Sequence, residues 1–317
     1  MVNRDQGNQT SVTEFILLGF NNISELQTLL FLLFLVIYIV TMAGNILIVM
    51  VVMADQHLHT PMYFFLGNLS CFEICYTSTI LPRMLASLLT GDRTISIRNC
   101  FLQYYFFAFL VLAECYLLSV MSYDQYLAIC KALRYAALMN GNVCAMLAAA
   151  SWVSGFLAST IITSLISQFI FCGPNEIDHF FCDFNPIIKL SCSDTHLAEL
   201  AILILASIFT QLPFLTLKSY VYIILSILRI PSTTGRQKAF STCSSHLIVV
   251  TIFYGTIIIV YLLPKTNTLK ALNKVFSVFY TVLTPLVNPL IYSLRNREVK
   301  KALQKAVNTF VFSQDLR

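Results

Sequence analysis

Charge is scarce in this chain of 317 residues: Asp, Glu, Lys and Arg make up 11% of it, against 57% hydrophobic residues. A soluble domain carries roughly a quarter charged residues, so a water-soluble fold is excluded before any motif is read. The mean hydropathy of +0.76 points the same way. Metal ligands are missing as a set. The histidines, His57, His59, His179, His196 and His246, include no pair spaced to grip an ion from one helix face. There is no glycine-rich phosphate loop and no nucleophile elbow, so the chain offers neither a cofactor cradle nor an enzyme's nucleophile. The residues before Gln27 lack a basic region, an apolar core and a small-residue cleavage site. The first apolar segment is therefore expected to direct insertion itself. A net charge of +5, unevenly placed, suits orientation in a bilayer and not nucleic-acid binding. Neither a short repeat nor a two-fold repeat of hydropathy is present, so solenoids and inverted-repeat transporters are not indicated.

What is present is a series of apolar segments, each near the roughly 20 residues that a crossing needs. They cover residues 26–53, 61–81, 99–130, 143–167, 197–228, 240–263 and 275–294. The expected fold is an all-α bundle of seven transmembrane helices. An outer tail of residues 1–25 precedes it, and a cytoplasmic stretch of residues 295–317 follows. With the N-terminus outside, eleven bases and four acids fall on the inner side, against eight bases and nine acids outside. That bias favours this orientation. In residues 296–310 the apolar Val299, Ala302, Leu303, Ala306 and Phe310 share one face, with Arg297, Lys300, Lys301 and Lys305 on the other. A helix lying in the inner lipid interface is expected there.

Asn-x-Ser/Thr sequons at Asn8 and Asn22 are glycosylation candidates if the tail is lumenal. Asn68-Leu69-Ser70 matches the same pattern inside an apolar segment, where no transferase reaches. Of the ten cysteines, Cys100, Cys172, Cys182 and Cys192 lie in or beside polar outer stretches. Three pairings of four cysteines are allowed. One of them, Cys100–Cys182, would tie the long outer loop over the bundle and leave Cys172–Cys192 as a clamp within it. A closure that long contributes on the order of 4–5 kcal/mol in the chain-entropy view.

Acids within the apolar segments carry the chemistry. Glu73 and Glu114 fall near mid-membrane, where a carboxylate needs a partner. They are expected to share a proton, hold a sodium ion or join a polar network, with the amides of Asn45 and Asn288 at similar depth. Asp124, in Met121-Ser122-Tyr123-Asp124-Gln125-Tyr126, is the only acid near the inner ends of segments two to six. In segment seven Pro289 frees a backbone carbonyl, which Asn288 is expected to satisfy, and Tyr292 follows at the inner end. Lys218 is out of place, about three turns from the inner end of segment five, and snorkelling is the expected account.

These residues closely resemble the odorant receptors, a branch of the rhodopsin-like G-protein-coupled receptors. The likeness covers almost the whole chain, from Thr13-Glu14-Phe15-Ile16-Leu17-Leu18-Gly19-Phe20 onward. It runs through Leu58-His59-Thr60-Pro61-Met62-Tyr63-Phe64, Met121 to Cys130 and Lys238-Ala239-Phe240-Ser241-Thr242-Cys243, to Pro289-Leu290-Ile291-Tyr292-Ser293. The outer loop with three cysteines is similar as well. The resemblance implies a multi-pass plasma-membrane receptor of olfactory sensory neurons. It would bind a small volatile odorant inside the bundle and activate a stimulatory-type G protein that raises cyclic AMP.

By position in the motifs, the resemblance assigns the ligand pocket to Phe107, Ala108, Val111, Leu112 and Cys115 from segment three. Ile204 and Ile208 would join from segment five, and Tyr254, Ile257, Ile258 and Tyr261 from segment six, with Tyr254 at the toggle position. Val278 and Thr281 would close it from segment seven. Coupling and switching would fall to Asp124, Gln125, Tyr126, Tyr220, Asn288, Pro289 and Tyr292. The chemistry of the pocket set agrees, being nearly all apolar with a few hydroxyls. Phe107 stands where an amine receptor needs a carboxylate, and segment seven has no lysine for a retinal Schiff base. A ligand of about ten heavy atoms gaining about 0.5–0.8 kcal/mol per atom would bind between about 0.1 mM and 1 µM. Two departures stand out. Gln125 replaces the family's arginine, and Ala132 replaces its usual proline. Glutamine loses the charge and the fork, so impaired coupling is expected. A non-signalling family member is the alternative reading, with a channel-like protein behind it.

Overall fold

The computed structural model describes residues 12–19, 26–262, 274–295, 299–302 and 304. Among them, seven helices are long and apolar enough to cross a membrane. Span one is α1 (Gln27–Ala54), and span two is α2 (Pro61–Thr90). Pro61 opens α2 at a position where its missing N–H costs nothing. The helix runs nine residues beyond the expected end at 81. Pro82 lies inside it without ending it, and Gly91 stops it in the left-handed region at φ 74°. Span three is α3 (Ile97–Cys130), capped by Ser96, whose hydroxyl accepts from the Asn99 amide at 3.3 Å.

A one-turn helix α4 (Tyr135–Leu138) leads to span four, α5 (Gly141–Ile166), capped by Asn140. The outer loop after it holds a short α6 (Phe184–Lys189). Span five, expected as one run, is two helices, α7 (His196–Phe209) and α8 (Gln211–Leu228). Pro213 cannot donate to the Phe209 carbonyl, and the Thr210 hydroxyl bonds the carbonyls of Ala206 and Ser207 at 2.7 and 2.9 Å. Span six, α9 (Thr233–Leu262), starts seven residues before the apolar run at 240, because Ser232 caps it through the Gly235 amide. Span seven is helical over 274–278, makes a π turn over Phe279–Leu283 and ends as α10 (Thr284–Arg295).

Span three is the axis. It packs against α2, α5 and α8 and is buried along its length. The close approach to α5 depends on Gly155, since a Cβ there would sit 2.4 Å from the Phe109 carbonyl oxygen. Trp152 packs at a tilt against Phe72, with ring centroids 4.3 Å apart, and its indole N–H donates to Asn68 Oδ1 at 3.1 Å. That bond gives Asn68 a structural role in place of the glycan its sequon would suggest.

The outer end is closed by a small sheet ordered β2-β1-β3, with β1 (Glu14–Leu17) at its centre. Strand β1 runs antiparallel to β2 (Thr94–Ser96), with Phe15 opposite Ile95, and parallel to β3 (Glu176–Ile177), with Leu17 opposite Ile177. The outer tail expected over residues 1–25 is therefore bound to the bundle over these four residues. Phe15 is fully buried and meets Phe171 edge-on at 5.1 Å, which draws the strand down. Both cysteine pairs form as anticipated, Cys100–Cys182 and Cys172–Cys192, with Cα separations of 5.5 and 6.0 Å. The glycosylation candidates Asn8 and Asn22 lie outside the described residues. Of the inner tail, 299–302 and 304 are helical, with Val299 and Ala302 buried and Lys300 and Lys301 exposed.

Candidate functional site

The interior is organised in tiers. Outermost is an aromatic tier. Phe107 is 3% exposed and packs its ring on Phe181 at 4.8 Å, Tyr76 at 5.7 Å and Tyr280 at 6.1 Å. Phe181 comes from the outer loop, which the bridge to Cys182 and the bond from the Cys182 amide to Gln103 Oε1 at 3.0 Å hold over the bundle. His179 of the same loop pairs with Ser277 Oγ at 3.1 Å.

About two to three turns deeper on span three, at Cys115 and Ser119, spans three, five and six meet at a hydroxyl cluster. Tyr254 donates to the Cys115 carbonyl at 2.8 Å and lies 3.1 Å from Ser119 Oγ. Ser119 also pairs with Thr216 at 2.9 Å and donates to the Leu212 carbonyl at 3.0 Å. Ser119 and Thr216 were not foreseen. Counting back from Tyr220 by helical spacing gives Thr216, Leu212, Phe209 and Leu205, and that period was the available signal.

The residues assigned to the pocket divide accordingly. Phe107, Cys115, Tyr254 and Thr281 are buried, Ala108, Val111, Ile257 and Val278 are half-buried against the core, and Leu112 is half-buried. Ile204 and Ile208 are 53% and 59% exposed, and Ile258 is 43% exposed. These three lie on the outward faces of their helices. On span five the inward positions fall to Leu205, Phe209 and Leu212. The Tyr261 side chain lies outside the described residues.

An acidic tier lies between these two, since Glu114 comes before Ser119 on span three. Asn288 donates to Glu73 Oε1, and Glu73 lies within electrostatic reach of Glu114. Glu73 Oε2 and Glu114 Oε1 are buried without hydrogen-bond partners among the described residues. The carbonyl that Pro289 frees is that of Pro285, and its partner is not Asn288 as expected. Asn45 of span one reaches it at 3.2 Å while also bonding the Thr41 carbonyl at 3.1 Å. Pro289 packs close enough to Gly44 that a Cβ there would lie 3.2 Å from the ring. Asn288 points the other way, toward Glu73.

At the inner end Asp124 is 2% exposed, and Asp124 Oδ1 accepts a hydrogen bond from Tyr135 at 2.8 Å. Burial first, and then the carboxylate, raise the pKa of the Tyr135 hydroxyl, so it stays a donor. Gln125 is buried beside it, with its amide 3.2 Å from Met62 Sδ. The rings of Tyr126 and Tyr222 meet at a tilt of 57° with centroids 5.9 Å apart. Tyr220 pairs with His246 Nδ1, and the Tyr292 hydroxyl is buried without a partner among the described residues. Tyr135 and His246 were missed as partners, because nothing in their local sequence ties them to positions 11 and 26 residues away.

Among the described residues no group of three or more His, Cys, Asp or Glu side chains is arranged to hold a metal ion. A family model described as "Olfactory receptor" matches residues 34–309. The human olfactory receptor 11L1 is 51% identical over 301 residues, covering 95% of this chain and 94% of that protein. The human olfactory receptor 10A7 is 50% identical over 308 residues, 97% of this chain and 98% of its own length. A mouse relative, olfactory receptor 5M5, is 46% identical over 310 residues, 98% of each.

Proposed function

The chain belongs to the olfactory receptor family and is an odorant receptor of the plasma membrane, not an enzyme; we propose that it binds small apolar volatiles between spans three, five, six and seven and signals through a stimulatory-type G protein that raises cyclic AMP. The observation that carries this reading is the Ser119–Thr216–Tyr254 cluster on the inner side of the Phe107 aromatic tier. A ligand that reaches from the rings past Val111 and Cys115 would meet the hydroxyls that tie three helices together. Displacing Tyr254 would release span six from span three, and span six ends inward beside Tyr220 through His246. The pocket set is Phe107, Ala108, Val111, Leu112, Cys115, Tyr254, Ile257, Val278 and Thr281, with Leu205 and Phe209 in place of Ile204 and Ile208. Glu73 and Glu114 are assigned to a shared proton or a sodium ion, on the strength of their unpartnered buried oxygens.

The test is an odorant-panel screen of cyclic AMP output from cells expressing the full chain at measured surface density. Responses to small apolar volatiles, lost in the absence of the stimulatory G protein, support the reading. Nanomolar binding of a charged ligand would contradict it. Gln125 favours a second reading, a receptor that binds odorants but couples poorly, since among the described residues no ion pair involves Asp124 and Tyr135 is its hydrogen-bond partner. Surface expression with odorant binding but no cyclic AMP would select it.

A further inference from the structure

Lys218 has no account in the tiers above. It lies exposed on α8, within span five, and among the described residues the ion pairs are Arg83–Asp92 and Lys274–Asp178, neither of which involves it. Arg229 closes the helix at its inner end. At 1.5 Å per residue the interval from Lys218 to Arg229 is about 16 Å, roughly half of a hydrocarbon layer of about 30 Å. The side chain leans toward the helix N-terminus, away from the inner surface, so snorkelling inward is opposed by its own geometry. A lone amine at that depth is costly unless something partners it.

It does not face plain lipid. Lys218 lines a groove of about 420 Å³ between α3 and α8, within the range of small-molecule sites. Leu212, Leu215 and Val120 give the groove apolar walls. Tyr126 and Tyr222 lie against one another at its inner end, and phenol hydroxyls are good donors to an anion. Ser119 also lines it, and Ser119 is the centre of the cluster with Thr216 and Tyr254. The groove thus has one cation, several hydroxyls, an apolar wall and a direct link to the helix contacts that a ligand in the bundle would disturb.

We propose that this groove is a second, membrane-facing site that binds a monocarboxylic acid with an apolar tail, the carboxylate paired with Lys218 and the tail laid along Leu212 and Leu215. A single amine matches a single negative charge. The depth lies beyond the reach of a phospholipid headgroup anchored at the surface, so the occupant is a free acid that enters from the bilayer. Binding there bears on Ser119 and tunes the receptor without entering the interior.

The experiment uses the full chain in nanodiscs of neutral phosphatidylcholine, with tritiated decanoate and decanol as probes. Decanoate is expected to bind at least about tenfold more tightly than decanol to the wild type and to Lys218→Arg, with the difference lost in Lys218→Met. Ser219→Trp keeps the amine and fills the groove, and is expected to weaken decanoate by a similar factor. Equal decanoate binding by wild type and Lys218→Met overturns the proposal, as does decanol matching decanoate. Displacement of decanoate by phosphatidylserine built into the disc would assign the site to a lipid headgroup and overturn it too.

Discussion

Spans three and five are both long and apolar, yet the bundle treats them oppositely. In the most apolar stretch of span three 61% of the residues are buried, against 6% in span five. Span three is enclosed by α2, α5 and α8 and carries Phe107, Glu114, Ser119 and Asp124 into four successive tiers. Span five is split at Thr210 and offers lipid most of its surface, keeping inside a narrow line from Leu205 through Thr216 to Tyr220. Hydropathy measures whether a segment can live in lipid. It does not say which segment the others surround, because inside and outside of a membrane bundle are both apolar.

The largest effect that would test this contrast is at Gly155. Gly155→Val places side-chain atoms where a Cβ alone would lie 2.4 Å from the Phe109 carbonyl oxygen. A cost of about 1–3 kcal/mol or more is expected, seen as lost surface expression and a lower melting temperature. Gly255→Ala, with nothing within 4 Å of its Cβ, should behave as wild type. Normal expression of Gly155→Val would break the picture of span three as a tightly clamped axis.

Next comes Tyr254→Phe, which removes the bonds to Cys115 and Ser119 but keeps the ring. With span six no longer tethered to span three, basal cyclic AMP should rise and the half-maximal odorant concentration should fall about five- to tenfold, the equivalent of about one net hydrogen bond. No shift at equal surface density would detach the hydroxyl cluster from signalling. Gln125→Arg is a subtler change, restoring a cation beside Asp124, and its expected outcome is higher cyclic AMP output per receptor. Equal output from the two proteins would remove the idea that Gln125 limits coupling. The smallest effects belong to Ile204→Ala and Ile208→Ala. Both face outward, so potency should stay within about twofold, while Leu205→Ala shifts it further. If the isoleucines mattered more than Leu205, the inward face of span five would have to be redrawn.

Much of this was legible beforehand. Seven apolar runs gave the spans, because a crossing must be long and uncharged whatever surrounds it. Polar residues at rare positions, such as Glu73, Asp124 and Asn288, marked the tiers, since hydrocarbon makes each of them costly. Facing was less legible. Ile204 and Ile208 were assigned by position in the motifs, but the face of span five is set where Tyr220 and Thr216 pack, and a one-residue error turns a helix side chain by about 100°. Helix ends also slipped, at Pro82 and at Thr233, because caps and tolerated prolines act after the apolar run has ended.

The sequence by itself determined the membrane class, the number of crossings, the orientation, the four outer cysteines and the residues that carry charge into the bundle. These follow from transfer energies and local chemistry, which each segment holds alone. Only the tertiary structure decided that Asn45, not Asn288, answers the carbonyl freed by Pro289, and that Phe15 closes the outer end as part of a sheet. It also decided that Ser119 joins three helices beside a groove holding Lys218. Each of those is a contact between distant parts of the chain, and hydrogen-bond partners within an oily interior are chosen by which helices end up adjacent.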